Sequence, residues 1–119
     1  MPIENTNEYG TINITNDAIA MLAGGIVTES YGVVGMASQQ VFKDGWVELL
    51  KGENYSKGVR VTQTEKGIDL DLYIIVSYNV KISEVVLEVQ KNVKYMLEKT
   101  LQQYINTINV YVQGIKVIK

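Results

Sequence analysis

The stretch VRVTQTEKGIDLDLYIIVSY, residues 59–78, decides the fold. In its first six residues Val59, Val61 and Gln63 alternate with Arg60, Thr62 and Thr64, a pattern typical of a strand with one buried face. Glu65, Lys66 and Gly67 follow as a turn, in which Gly67 is free to adopt a positive φ. Aliphatic side chains then return at every second position from 68 to 76. The stretch therefore predicts a β-hairpin whose second strand is long.

The second strand of this hairpin has two unlike faces, because successive side chains of a strand point to opposite sides of the sheet. One face carries only long aliphatic side chains and is predicted to face the core: Ile68, Leu70, Leu72, Ile74 and Val76. The other face mixes polar, aromatic and aliphatic side chains: Asp69, Asp71, Tyr73, Ile75 and Ser77.

Downstream of the hairpin, the spacing of apolar residues changes from two to three or four. Ser83 and Glu84 are suited to begin a helix, and the pattern predicts one over residues 83–106. A last strand is predicted over 108–117, with a bulge or bend at Gly114.

Upstream, residues 9–15 alternate and predict a strand. Thr15 and its polar neighbours provide capping groups for a helix that runs to about Glu29. Gly24 and Gly25 lie inside that helix and predict close approach of another backbone. A turn and strand follow over 31–37, and then a short helix that begins near Asp44.

The predicted class is α+β: one mixed or antiparallel sheet with two main helices packed on one face, in the order β-α-β-(short α)-β-β-α-β. A chain of 119 residues suits one domain. Residues 1–7 are predicted to be a flexible tail, and residues 8–119 a single domain.

Composition argues against an enzyme, because the chain contains neither histidine nor cysteine. Serine–histidine and cysteine–histidine catalysis and the usual zinc sites are therefore excluded. The sequence also has no phosphate-binding loop of the Walker type and no G-x-G-x-x-G. Asp69 and Asp71 share a strand face, but two carboxylates are too few for a hard cation. We expect no catalytic residues, no cofactor and no metal.

The N-terminus lacks a basic segment followed by an apolar one, so it does not predict a signal peptide. The longest apolar run, residues 18–27, is half the length of a membrane span. Together with the absence of cysteine, these features favour a cytoplasmic protein without a membrane span of its own.

Four residues form the candidate partner-binding site: Arg60, Tyr73, Ile75 and Tyr111. Alternation places Tyr73 and Ile75 opposite the aliphatic face, and Tyr111 opposite Val110 and Val112. If the two strands are neighbours, the result is an apolar and aromatic patch with a cationic rim, as protein interfaces often have. A cross-strand tyrosine pair that only stabilises the sheet is the competing interpretation.

Nucleic-acid binding is only weakly indicated. Residues 32–35 spell G-x-x-G, the signature of KH domains, and tyrosines on a sheet face are typical of RRM domains. However, basic residues are scattered singly, the formal net charge is −2, and the RNP1 pattern is missing. We therefore expect no nucleic acid as a partner.

The order of elements and several short stretches resemble the alkaline shock protein 23 family, small cytosolic envelope stress proteins of Gram-positive bacteria. The stretches that carry the resemblance cover most of residues 10–117: ITNDAIA at 14–20, GVVGM at 32–36, KGVRV at 57–61, DLYIIV at 71–76, VQKNV at 89–93 and VYVQGI at 110–115.

The resemblance implies a non-catalytic protein of envelope or alkaline stress that acts as a protein-binding adaptor. It also implies peripheral recruitment to the inner face of the cell membrane by a membrane-anchored member of the same family. Two alternatives stay open: an RNA-binding module of RRM-like or KH-like geometry, and a small lipid or ligand binder. A predicted edge strand and an uncovered sheet face also allow a homo-oligomer.

Overall fold

A computed structural model describes residues 3–7, 10–41, 47–50 and 57–117, and the side chains of 14–38 and 57–117. The elements are β1 (Ile3–Asn7), β2 (Gly10–Ile14), α1 (Asn16–Thr28), β3 (Val33–Val41), β4 (Val47–Leu50), β5 (Val59–Thr64), β6 (Gly67–Ser77), α2 (Ile82–Leu101) and β7 (Ile105–Lys116). The predicted α+β class is confirmed, while the described strands form two sheets and not one: β1 with β2, and β3 to β7 in a mixed five-stranded sheet.

The hairpin predicted from residues 59–78 is the centre of the fold. β5 pairs antiparallel with β6 from Val59 opposite Leu72 to Thr64 opposite Gly67. The two-residue turn between them leaves Gly67 at φ 131°, as the sequence predicted. β6 is longer than β5, so its second half pairs on the same side with β3, where Met36 lies opposite Ile74.

β7 covers the other side of β6 along its whole length and runs parallel to it. Parallel neighbours need a long crossover, and α2 provides it. Two register shifts insert an extra residue into β7: Asn106 between Ile105 and Thr107, and Gln113 between Val112 and Gly114. The second shift confirms the bulge predicted at Gly114.

The aliphatic face of β6 shares one hydrophobic core with buried residues of α1 and α2. Ile68, Leu70, Leu72, Ile74 and Val76 are at most 1 % exposed, which confirms the predicted core face. α2 contributes a buried residue at every fourth position, and these residues share one helix face. They are Val85, Val89, Val93, Leu97 and Leu101.

The two helices are also joined by polar side chains. Ser30, 6 % exposed, donates to the carbonyl of Ile26 and accepts from the Asn92 amide at 3.3 Å. At the other end of α1, Thr15 caps the helix by accepting the Ala18 N–H, as predicted. Because every buried polar atom described has a partner, burial of Ser30 costs little.

The predicted close approach at the paired glycines is wrong for Gly25, since a Cβ there would meet no atom within 4 Å. Gly24 is buried. Close contacts lie instead at two other glycines: a Cβ at Gly32, where φ is 83°, would lie 2.5 Å from Cγ2 of Val85, and a Cβ at Gly67 would lie 2.5 Å from the backbone oxygen of Tyr104. The G-x-x-G at 32–35 is thus a turn from a helix into a strand, whereas the KH loop joins two helices.

Three predictions require correction: the short helix near Asp44, the N-terminal tail and the end of the last helix. The short helix predicted from Asp44 is wrong where the chain is described, because residues 47–50 form β4, which pairs with β3; Asp44 itself lies outside the described residues. The backbone pairing offered by β3 outweighs the local helical signal.

The predicted tail contains a strand. Residues 3–7 form β1, whose backbone pairs antiparallel with β2 from Ile3 opposite Ile14 to Asn7 opposite Gly10. The alternating stretch at 9–15 provides the hydrogen-bonding edge that the polar N-terminal sequence does not reveal by itself.

The last helix ends at Leu101 and not at residue 106. Gln102 adopts the left-handed conformation, with φ 55° and ψ 37°, which terminates α2.

Within the part of the chain that the structure describes, no helix is long and apolar enough to cross a membrane.

Candidate partner-binding face

The two predicted tyrosines lie side by side on the sheet face opposite the helices. Tyr73 of β6 is the direct partner of Tyr111 of β7. Their rings stack with centroids 5.0 Å apart and planes 16° apart. Tyr111 is 46 % exposed, and Tyr73 is half-buried. The sheet thus presents a small aromatic platform to solvent.

The other two candidate residues differ in exposure. Arg60 is exposed and lies opposite Asp71, which is two residues before Tyr73 on β6. Ile75 is only 8 % exposed. Its neighbours in register are Gly35 and Gly114, which have no side chains to stand beside it. The solvent-facing part of the patch is therefore Tyr73, Tyr111 and Arg60.

A row of carboxylate–amide pairs continues this face toward the start of β7. Asp69 accepts hydrogen bonds from the Asn106 amide at 2.9 Å and the Thr107 hydroxyl at 2.8 Å. Asp71 accepts one from the Asn109 amide at 2.9 Å. The bulge at Asn106 explains why two successive residues of β7 reach the same carboxylate.

The row fixes the charge state of Asp69. Hydrogen bonds from the side chains of Thr107 and Asn106 hold the pKa of its carboxyl below the ordinary value of 3.8, and Lys66 acts in the same direction. Asp69 is therefore an anionic acceptor and is poorly suited to donate a proton as a general acid.

The pH dependence of stability should show this effect. A carboxyl whose pKa is lower in the folded state stabilises the protein above its unfolded pKa, and this contribution is lost as pH falls through the folded value. We expect the stability difference between the wild type and Asp69→Asn to be largest above about pH 5 and to shrink toward pH 3. Urea unfolding across this range measures it, and a pH-independent difference would contradict the assignment.

The Tyr73 hydroxyl stays protonated at neutral pH. Partial burial raises the pKa of its phenol above 10.0; the charge of Asp71 and the neighbouring Tyr111 add to the rise, and Arg60 opposes it. The phenol therefore offers a partner a neutral hydrogen-bonding group. A tyrosinate nucleophile or base is not available there at physiological pH.

The described part of the chain contains no group of three or more acidic residues placed to hold a metal ion. Asp69 and Asp71 already accept hydrogen bonds from β7, so they serve the sheet.

A groove lies between α2 and β7, apart from the tyrosine pair. It is an open groove of about 350 Å³ lined by Gln90, Lys91, Lys94, Ile105, Asn106 and Ile108. Lys94 is already engaged there: its ammonium donates to Glu98 at 3.2 Å and to the carbonyl of Ile105 at 3.0 Å, and it lies 4.6 Å from the centroid of the Tyr104 ring.

The sequence analysis did not place Asn106, Thr107 and Asn109 on the sheet face of Tyr73 and Tyr111. Alternation alone cannot place Asn106 and Thr107 together, because consecutive residues of a regular strand point to opposite sides. The available signal was compositional: three amide or hydroxyl residues face two aspartates on neighbouring strands.

Comparison with known proteins now adds to this geometry. A family model described as having a cell envelope-related function matches residues 4–117. The uncharacterized protein YloU of Bacillus subtilis is 50 % identical over 117 residues, which cover 98 % of each chain. The uncharacterized protein Spy1614 of Streptococcus pyogenes is 47 % identical, over 99 % of this chain and 98 % of the relative. No solved structure matches significantly.

More distant similarity extends to the uncharacterized protein YqhY of Bacillus subtilis, which is 34 % identical over 90 % of this chain and 78 % of the relative. Of the elements that the structure describes, the family model covers the seven strands, except the first residue of β1, and the two helices. The chain belongs to the alkaline shock protein 23 family, whose function is related to the cell envelope.

Proposed function

We propose that the chain is a non-catalytic adaptor that binds a protein partner through the sheet face around Tyr73, Tyr111 and Arg60, and that an integral membrane protein recruits it to the cell envelope. The observation that carries the proposal is the stacked tyrosine pair, with Tyr111 46 % exposed.

The side chains of this face have the chemistry of an interface centre. Tyrosine and arginine are enriched among the residues that dominate binding energy, since they bury large areas and also form hydrogen bonds. Tyr73 holds the Tyr111 ring in place by stacking, so little side-chain entropy is lost when a partner covers it. The hydrogen-bonded row around Asp69 and Asp71 provides a polar border.

The same face disfavours RNA. Bases can stack on exposed tyrosines, but the adjacent positions of β6 carry Asp69 and Asp71, which are hydrogen-bonded carboxylates. They repel phosphates, whereas nucleic-acid surfaces carry clusters of lysine and arginine. A protein partner tolerates carboxylates at the border of the interface.

Site-specific photo-crosslinking tests the proposal. Benzoylphenylalanine at position 111 of this chain, expressed in Bacillus subtilis cells, should crosslink to a protein that fractionates with the membrane. The reason is that residue 111 lies at the centre of the proposed contact.

Position 95 is the matched control. Tyr95 is also an exposed tyrosine, 62 % accessible, but it lies on α2, on the helix side of the sheet. The proposal expects no such adduct from position 95. Equal adducts from both positions, or none from position 111, would contradict it.

A further inference from the structure

The outer edge of β7 is half protected and half open. The Ile68 N–H donates to the carbonyl of Tyr104, and the Tyr78 N–H donates to that of Lys116. Along a strand, successive residues direct their N–H and C=O to opposite sides, and each of the two bulges shifts this alternation by one residue. The residues of β7 that direct these groups away from β6 are therefore Ile105, Ile108, Val110, Val112 and Ile115.

Side chains of α2 protect the first part of this edge. The Ile105 N–H donates to Glu98 at 3.0 Å, and the Ile105 carbonyl accepts from Lys94 at 3.0 Å. The Ile108 carbonyl accepts from the Gln90 amide at 2.9 Å. The Ile105 N–H is also the main cause of the lowered pKa of Glu98. Covering an edge in this way prevents unwanted pairing with other strands.

The protection stops one helical turn before Gln90. At 3.6 residues per turn, Leu87 lies within about 20° of Lys94 and Glu98 around the helix axis, so it occupies the same stripe. The side chain of Leu87 cannot donate or accept a hydrogen bond, and Leu87 is 66 % exposed. In the described structure the outward groups of Val110, Val112 and Ile115 have no partner. Ile115 is 55 % exposed.

We propose that this open edge pairs with the same edge of a second copy of the chain, β7 antiparallel to β7, so that two sheets join into one across a two-fold axis. A two-fold operation makes the edge complementary to itself: each outward N–H of one copy meets a carbonyl of the other. Leu87 and Ile115 of both copies then become covered.

The distribution of charge fits a second copy. Residues 110–117 carry one charged side chain, Lys116, near the end of the strand. Antiparallel pairing about the middle of this stretch keeps the two Lys116 ammonium groups far apart. The start of α2 carries Lys81 and Glu84, one charge of each sign and both largely exposed. A second copy therefore meets no block of like charge at this edge, whereas a like-charged edge would repel its copy.

Sedimentation equilibrium and amide hydrogen exchange of the purified full chain test the proposal. We expect a mass about twice the 13.3 kDa of the monomer, and protection of the amides of Val110, Val112 and Ile115 that is lost on dilution. The double variant Leu87→Lys, Ile115→Lys introduces four like charges per dimer and should be monomeric, with these amides exchanging rapidly.

Met96→Lys is the matched control, because Met96 lies on the opposite side of α2 from Leu87 and is 42 % exposed. It should remain dimeric. Retained protection of the Leu72 and Ile74 amides, inside the sheet, would show that the double variant is folded. A monomeric wild type, a dimer without protection at the three edge amides, or a dimer that survives the double substitution would each overturn the proposal. None of these results bears on the tyrosine face, the sheet surface around Tyr73, Tyr111 and Arg60.

Discussion

Leu97→Ala is expected to lower the free energy of unfolding by about 2–5 kcal/mol, the range for leucine-to-alanine changes in close-packed cores. Leu97 is 0 % exposed and lies in the buried stripe of α2 against β6. Truncation leaves a cavity beneath the sheet. A domain of this size has a total stability of about 5–15 kcal/mol, so much of it would be lost.

Urea unfolding followed by far-UV circular dichroism measures this effect. Leu22→Ala is the control, since Leu22 is also a helical leucine but is 41 % exposed. It should cost about 1 kcal/mol or less, in line with surface substitutions. Equal costs for the two variants would contradict the placement of α2 on the sheet.

Gly67→Ala is expected to destabilise the protein by about 2–4 kcal/mol, through backbone strain and overpacking together. Gly67 has φ 131°, which residues with a side chain rarely adopt. A Cβ would lie 2.5 Å from the backbone oxygen of Tyr104. That oxygen accepts the Ile68 N–H at 3.0 Å, so the added methyl group would disturb the start of both β6 and β7.

The identical substitution at Gly25 should have the opposite sign. Gly25 lies inside α1, and a Cβ there meets nothing within 4 Å. Alanine favours the helix over glycine by up to about 1 kcal/mol. Thermal unfolding of both variants should therefore move in opposite directions. A destabilised Gly25→Ala, or a Gly67→Ala as stable as the wild type, would contradict the backbone conformation assigned to that glycine.

The strands of the sheet differ in how far local sequence determines them. The hairpin at 59–78 was predictable because alternation, turn residues and a glycine that needs positive φ agree with one another. β4 was not, since its four residues also fit a helical pattern, and only pairing with β3 selects the strand. The predicted end of α2 is too late because Tyr104 and Ile105 continue its apolar spacing. The helix ends at Gln102 in the left-handed conformation, and the sequence gives no sign of this because the residue usual at such a position is glycine.

The candidate site shows the same division. Period-two alternation placed Tyr73 and Tyr111 on the face away from the core, and the structure makes them direct partners. The same rule assigned Ile75 to that face but could not give its exposure. Gly114 is its partner in β7, and a Cβ there would lie 3.9 Å from Cγ1 of Ile75, so the isoleucine side chain leans over the glycine. Alternation along one strand does not reveal such a neighbour in another strand.

The proposed partner site and the proposed dimer interface are different surfaces of the molecule. The tyrosine face points away from the helices, while the open edge of β7 lies beside α2. A dimer formed through the edge leaves both tyrosine pairs accessible. It would present two copies of the face to a membrane partner, which raises avidity without any new contact.

The central claim, that the tyrosine face binds a protein partner, is tested most directly by the affinity of the chain for the purified membrane protein captured at position 111. We expect Tyr111→Ser to weaken binding by about tenfold or more, as loss of an interface anchor does, and Tyr95→Ser to leave it within about twofold. Both variants must first show cooperative thermal unfolding. Unchanged affinity of a folded Tyr111→Ser, or equal weakening by Tyr95→Ser, would contradict the claim.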